Sequence, residues 1–146
     1  MLVKTNTRLV AVQAVFQFFF SKNNIQTITD EFINYRLVNN KEKKKYDKNF
    51  FSLLVNGVSK DYHPIKNLIE SKLKDRWSVD RMDQTTRAIL SLGIFELLNF
   101  KQTPVKVIID EYVSIGCLFL DPTNTGFING VLDSVAKDLK RNKKTG

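Results

Sequence analysis

The sequence has very few of the residues that form covalent or metal cross-links. Its 146 residues include one cysteine, Cys117, and one histidine, His63. A single thiol excludes an intramolecular disulfide, and one histidine beside it argues against a zinc or haem site. A chain of this length buries about 70% of the surface of its unfolded form, so it can form a core without cross-links. We therefore expect one domain that holds no metal and no cofactor.

Long hydrophobic runs are absent as well. No apolar segment reaches the roughly 18 to 20 residues that a membrane span requires. Residues 9–20 come nearest and follow Lys4 and Arg8 in the manner of a secretory signal. Gln13 and Gln17 interrupt this segment, and no small-residue cleavage site follows it. We interpret it as a folded amphipathic helix and predict a cytoplasmic protein.

Catalytic motifs are also missing, since the chain contains no Gly-rich phosphate loop, CxxC pair, HExxH motif or Gly-x-Ser-x-Gly elbow. His63 precedes a proline in a predicted turn, and Cys117 adjoins apolar residues, so we expect a surface histidine and a buried thiol. Asp110 and Glu111 are adjacent and would diverge by about 100° on a helix. Glu96 lies in a strongly apolar segment, where a carboxylate pairs with a cation or caps a backbone. We predict no catalytic residues and no enzyme activity.

Helical periodicity is the main feature that is present. The three prolines and six glycines fall mostly at the ends of segments whose apolar residues recur every three or four positions. No segment alternates as a strand between hairpin turns does. The sequence therefore predicts an all-α, single-domain bundle of about seven helices. We expect them at about 7–21, at about 29–39, from Asp47 to before His63, from Pro64 to about 73, from Asp83 or Thr85 to about 98, at about 105–115, and from Pro122 or Thr123 onward.

The fifth predicted helix has apolar residues on nearly every side, which is typical of a helix at the centre of a domain. Gly93 within it costs about 1 kcal/mol relative to alanine, so we expect another helix to cross closely there. Gly57 and Gly130 are expected to allow similar close contacts between helices.

Positive charge is in clear excess. The chain has 23 lysines and arginines against 15 acidic residues, a formal net charge of +8. This excess favours a polyanionic partner without separating RNA, DNA and acidic proteins. Residues 41–45 contain four lysines and suit either a solvated loop or a phosphate-binding tract. Residues 140–146 are basic and lack apolar side chains, so we expect a flexible tail after a domain of residues 1–139.

Six segments resemble the NusB family of bacterial transcription antitermination factors. Their order and spacing agree with the family over nearly the whole chain, although most of their residues are packing residues. Three segments carry the resemblance most strongly, and three others fit between or before them. They are residues 77–82, 87–98 and 127–133, and then 11–17, 54–58 and 104–111.

The resemblance implies an all-helical bundle of two packed subdomains. It also implies a protein that catalyses no reaction and binds boxA RNA together with NusE, a small-subunit ribosomal protein. Their complex acts with RNA polymerase during transcription of ribosomal RNA operons. Some members of the family self-associate, so monomer and homodimer both remain open. The alternative interpretation is a helical protein-interaction module with weak or lost RNA binding.

The resemblance also implies RNA-binding residues. The family carries an arginine-rich stretch before its first helix, and here that stretch keeps only Lys4 and Arg8. Thr5 beside them can hydrogen-bond a phosphate, and Gln13 lies in the matching first helix. Phe127 matches a phenylalanine of the family's RNA site. Its ring suits either base stacking or the core, and the sequence leaves both open.

Four phenylalanines in the first helix predict a partner surface. At about 100° per residue, Phe16, Phe18, Phe19 and Phe20 cannot all face one core, and Phe18 is the one that points away from the others. At least one ring is therefore expected to be exposed, and exposed aromatic rings often mark protein interfaces. By resemblance, Phe16 and Phe20 match positions that contact NusE.

Overall fold

The computed structural model describes residues 2–21, 23–38, 44–73 and 78–141. In these ranges the chain forms seven α-helices and no strand, which confirms the all-α prediction. A π-helical turn, Ile33–Val38, extends the second helix, and a 3₁₀ turn, Val79–Arg81, precedes the fifth. The helices are α1 Leu2–Phe20, α2 Ile25–Phe32, α3 Lys48–Lys60, α4 Tyr62–Glu70, α5 Gln84–Asn99, α6 Val105–Phe119 and α7 Pro122–Asp138.

Aspartate side chains start three of the helices. The carboxylates of Asp47, Asp83 and Asp121 each accept a hydrogen bond from the backbone N–H three residues later. These bonds satisfy amides that have no partner within the helix. The predicted starts at Asp47, at Asp83 and near Pro122 are therefore confirmed.

Four predicted boundaries are wrong. Helix α4 begins at Tyr62 instead of Pro64, so His63 lies within the helix and not in a turn before it. Helix α1 begins at Leu2 instead of about Thr7, because the Thr7 hydroxyl donates to the Val3 carbonyl and accepts from the Asp47 amide. Helix α2 begins at Ile25, where Asn24 caps it. Helix α6 continues past residue 115 to Phe119.

Helix α5 forms the centre of the bundle, as its all-round apolar pattern predicts. Eleven of its sixteen residues are buried, and it contacts α1, α3, α4, α6 and α7. Helices α1, α2 and α3 pack on one another on one side, and α6 and α7 pack together on the other. One central helix thereby joins two groups of helices, and the first turn of α5 lies at the surface between them.

Two of the three glycines expected at close contacts do lie at them. A Cβ added at Gly57 would lie 2.1 Å from the Phe95 ring, and one at Gly93 would lie 2.9 Å from a Leu132 methyl group. These approaches confirm the close crossing at Gly93, which involves α7. The expectation for Gly130 is wrong, because a Cβ there has no atom within 4 Å.

Alanine substitutions at Gly57 and at Gly130 should have opposite effects on the free energy of unfolding. Gly57→Ala should lower the free energy of unfolding by about 1 to 3 kcal/mol, because the buried Phe95 ring must move. Gly130→Ala should raise it by about 1 kcal/mol through helix propensity alone. Urea unfolding of both variants measures the difference. Equal shifts would contradict a steric role for Gly57.

The C-terminal end of α7 corrects the predicted start of the tail. Lys140 has a left-handed backbone (φ 59°), and the Arg141 amide donates to the Ala136 carbonyl, which closes a Schellman motif. The Arg141 side chain is buried and donates to the carbonyls of Leu97, Lys101 and Thr103. Lys140 and Arg141, which the sequence assigns to the tail, are therefore part of the C-terminal cap of α7 and its contacts.

Some predicted features fall outside the residues that the structure describes. They are the end of the second predicted helix at Asn39, the first lysines of the basic loop at 41–43, Trp77 in the predicted linker, and residues 142–146 of the predicted tail.

Candidate functional site

The Arg8 side chain lies inside the protein. It is only 3% exposed. Its Nε and Nη2 donate to the two carboxylate oxygens of Glu96 at 2.8 and 2.9 Å. Its Nη1 donates to Glu111 at 2.9 Å. A single cation from α1 thus holds one carboxylate from α5 and one from α6, which confirms the prediction that Glu96 pairs with a cation.

The rest of this network is also satisfied. Glu96 is fully buried and accepts a further hydrogen bond from the Tyr112 hydroxyl. Burial lowers the pKa of the Arg8 guanidinium, but the hydrogen bonds and charge of Glu96 outweigh it, so the pKa of Arg8 is raised. Burial and the Glu96 charge together raise the pKa of Tyr112 well above its usual value. Arg8 therefore stays charged, and Tyr112 stays protonated.

The predicted RNA contact of Arg8 stays a prediction, and the structure places this side chain inside the bundle. In the structure every nitrogen of its guanidinium donates to a carboxylate within the bundle. The partners of Arg8 are the carboxylates of Glu96 on α5 and Glu111 on α6, which are 88 and 103 residues away in the chain.

The other predicted RNA-binding residues of α1 do not share one face. Lys4 is exposed, and its ammonium group lies 4.6 Å from the centre of the Phe50 ring. Thr5 is half-buried and donates to Glu111 at 2.6 Å. Gln13 accepts a 2.7 Å hydrogen bond from Arg36 in the π-helical turn. Because Lys4 and Gln13 are nine residues apart, they point about 180° away from each other.

Phe16 and Phe20 form an exposed aromatic pair on α1. They are 37% and 76% exposed, and their rings stack with centres 6.0 Å apart. The prediction that at least one ring is exposed is confirmed. Phe18 points away from this pair, toward the core, as predicted. Phe19, which was expected to lie on the side of Phe16 and Phe20, is also partly buried and packs on Tyr62.

The end of α6 extends this aromatic surface. Phe119 is 49% exposed, and it lines a shallow depression of about 200 Å³ with Val12, Gln13, Phe16 and Thr85. Phe119 is not among the predicted site residues, because the predicted helix ends at about residue 115 and α6 continues to Phe119.

The same error explains Cys117, which is exposed and not buried as predicted. The buried residues of α6 recur every three or four positions. When this spacing is continued past Ile115, Cys117 and Leu118 fall on the side opposite to the core. The exposure of Cys117 could therefore have been predicted from the spacing of the apolar residues in this helix.

Phe127 lines a larger cavity of about 660 Å³ beside α7. The ring is half-buried, so it is neither a core residue nor fully exposed. Polar and charged side chains surround it, namely Lys72, Ser78, Arg81, Asp83, Thr86, Thr123, Asn124 and Ser134. The lining also contains the apolar residues Leu73, Met82 and Val131. Of its cations, Lys72 is paired with Asp138.

The two depressions lie on either side of the first turn of α5. Thr85 lines the one that contains Gln13 and Phe16, and Asp83 and Thr86 line the one that contains Phe127. The fold thus brings together predicted site residues that are more than a hundred positions apart in the sequence. Across the described ranges, no helix is long and apolar enough to cross a membrane.

Comparison with known proteins decides the family. A model of the NusB family matches residues 5–137. The chain belongs to the NusB family. It is 38% identical over 140 residues to the transcription antitermination protein NusB of Sinorhizobium fredii, covering 94% of this chain and 88% of that protein. The NusB protein of Rhizobium etli is also 38% identical, with the same coverage.

Solved structures of NusB proteins share the fold. A T. maritima NusB structure has a TM-score of 0.78 at 28% identity, covering 92% of this chain and 90% of that one. A crystal structure of the antitermination factors NusB and NusE with double-stranded RNA gives a TM-score of 0.81. Its identity is 22%, and it covers 94% of this chain and 98% of that one. At this identity the likeness is one of fold.

Proposed function

We propose that this protein is a transcription antitermination factor that binds boxA RNA together with NusE. In this role it promotes processive transcription of ribosomal RNA operons by RNA polymerase, in the cytoplasm and without catalysing a reaction. The observation that carries the proposal is 38% identity, over 94% of the chain, to proteins named transcription antitermination protein NusB.

The surface around the start of α5 supports two binding roles. The cavity beside Phe127 has a half-buried aromatic ring and an exposed cation, Arg81, on its lining, with a second cation, Lys72, that is paired with Asp138. The stacked Phe16 and Phe20 rings give an exposed apolar surface on the neighbouring helix. Bases stack on aromatic rings, and protein partners bury them, so we assign RNA to the first surface and NusE to the second.

Binding assays with and without the partner test the proposed function. Fluorescence anisotropy should show tighter binding to a labelled boxA RNA than to a scrambled RNA of the same length and composition. Adding NusE should strengthen the binding to boxA RNA. Equal affinity for the two RNAs, with no effect of NusE, would contradict the proposal.

Phe127→Ala gives a residue-level test of the RNA site. We expect boxA affinity to fall roughly 5- to 150-fold, because one stacked base contributes about 1 to 3 kcal/mol. Val107→Ala serves as a control, since Val107 is exposed and lines neither depression. A Phe127 variant that loses about 3 to 5 kcal/mol of stability but keeps its RNA affinity per folded molecule would instead identify a core residue.

A second candidate function is a helical protein-interaction module with weak or lost RNA binding. The position of Arg8 favours it, because an internal ion pair removes this cation from the RNA surface. Such a module would bind NusE through Phe16 and Phe20 yet show no preference for boxA RNA. The same anisotropy experiment therefore distinguishes the two candidates.

A further inference from the structure

The end of the loop before α3, residues 44–47, lies against the first turns of α1. The Asn6 side-chain amide donates to the Lys45 carbonyl at 3.3 Å. One residue further along α1, the Thr7 hydroxyl accepts a 2.9 Å hydrogen bond from the Asp47 amide. These two bonds join segments that are about 40 residues apart in the sequence. They hold the loop against the N-terminal end of α1.

Three exposed lysines lie on the segments that come together here. Lys45 belongs to the loop, and Lys48 is the first residue of α3. Lys4 reaches the same end of α3 from α1, because its ammonium group lies over the Phe50 ring. We call Lys4, Lys45 and Lys48 the N-terminal lysine cluster.

The charge of the cluster is not neutralised within the part of the chain that the structure describes. No carboxylate there forms an ion pair with any of its three lysines. The nearby Asp47 carboxylate caps α3 and accepts a hydrogen bond from the Phe50 amide. Glu111, bonded to Thr5, is paired with Arg8.

We propose that the N-terminal lysine cluster binds phosphates of the RNA, in the role that the internal Arg8 does not fill. This assignment rests on the proposed RNA-binding function. The Phe50 ring beneath the cluster is buried, and Leu2 is the one exposed large apolar residue in the first turn of α1. Protein interfaces are depleted of lysine and centred on apolar residues, whereas phosphate contacts need exposed cations. Three exposed lysines therefore suit the phosphodiester backbone of RNA better than a protein surface.

The salt dependence of RNA binding tests this assignment. In the double variant Lys45→Gln with Lys48→Gln, the slope of log affinity against log salt should become shallower by about 1.4. Each single-strand phosphate contact contributes about 0.7 to that slope. The affinity ratio of parent to variant should then grow about sevenfold when salt falls from about 200 to about 50 mM.

A matched control removes the same charge elsewhere. Lys60→Gln with Lys101→Gln also loses two exposed lysines. Lys60 ends α3, roughly 18 Å along the helix from Lys48. This control should change the slope much less than the cluster variant. Circular dichroism verifies that both variants are folded.

Three outcomes would overturn the assignment. One is an unchanged slope in the cluster variant, and another is an equal loss in the control, which would indicate net charge alone. The third is weaker NusE binding with unaltered RNA binding, which would make the cluster a protein contact.

Different results contradict the RNA-binding role of the lysine cluster and the proposed function of the protein. A parent that does not discriminate boxA from scrambled RNA contradicts the proposed function. The slopes measured on scrambled RNA still decide the role of the lysines, because phosphate contacts do not depend on sequence. A parent that binds neither RNA overturns both.

Discussion

Replacing Arg8 with alanine should lower the free energy of unfolding by about 3 to 5 kcal/mol. The substitution leaves the fully buried Glu96 carboxylate without its cation, and removing one partner of a buried ion pair costs about this much. It also leaves Glu111 with only the Thr5 hydroxyl among the partners described here. Urea unfolding followed by circular dichroism measures the change.

A surface pair provides the control for Arg8. Lys106→Ala removes an exposed cation that pairs with Asp110 one turn away on α6, and it should change stability by less than about 1 kcal/mol. In a double-mutant cycle, Arg8→Ala and Glu96→Gln should cost less together than the sum of the two single changes, because they share one interaction. An Arg8 variant as stable as the parent would show that the buried pair contributes nothing.

Replacing Phe20 with serine should weaken NusE binding about 30-fold or more. Phe20 is 76% exposed and stacks on Phe16, so it can insert into a partner at little cost to this protein's own stability. An aromatic hot spot at an interface contributes about 2 kcal/mol or more. Isothermal titration calorimetry with purified NusE measures the loss. Phe16→Ser should act in the same direction.

A third exposed apolar residue controls for surface hydrophobicity. Leu53 on α3 is 57% exposed and lies outside both depressions, so Leu53→Ser should leave NusE binding unchanged. Thermal unfolding verifies that all three variants remain folded. If the Phe16 and Phe20 variants bind NusE as tightly as the parent, the partner docks on another surface.

Local signals in the sequence were sufficient to predict much of the fold. The all-round apolar pattern of α5 identified the central helix, because a helix without a polar face must be covered on every side. Asp47 and Asp83 marked helix starts, because a carboxylate satisfies amides only three residues away. Both kinds of signal depend on neighbours in the chain, and a sequence displays such neighbours directly.

The candidate site depended more on long-range contacts. The sequence indicated that Phe16 or Phe20 would be exposed, since the 100° step of a helix excludes one common face. It did not predict Phe119 beside Phe16, because this residue lies in the last turn of α6, beyond the predicted end of the helix. Nor could it tell that Phe127 would be half-buried beside a cavity.

Taken alone, the sequence determined the helical class, the central helix, most helix starts and the resemblance to the NusB family. The tertiary structure decided where the charges go. The position of a lysine or arginine around a helix is the same whether its side chain contacts water, a carboxylate or a phosphate. The spacing of residues in the sequence therefore cannot identify its partner. Only the packing of α1 on α5 and α6 buries Arg8. Only the contacts of Lys45, Asp47 and Phe50 with α1 place the start of α3 beside Lys4.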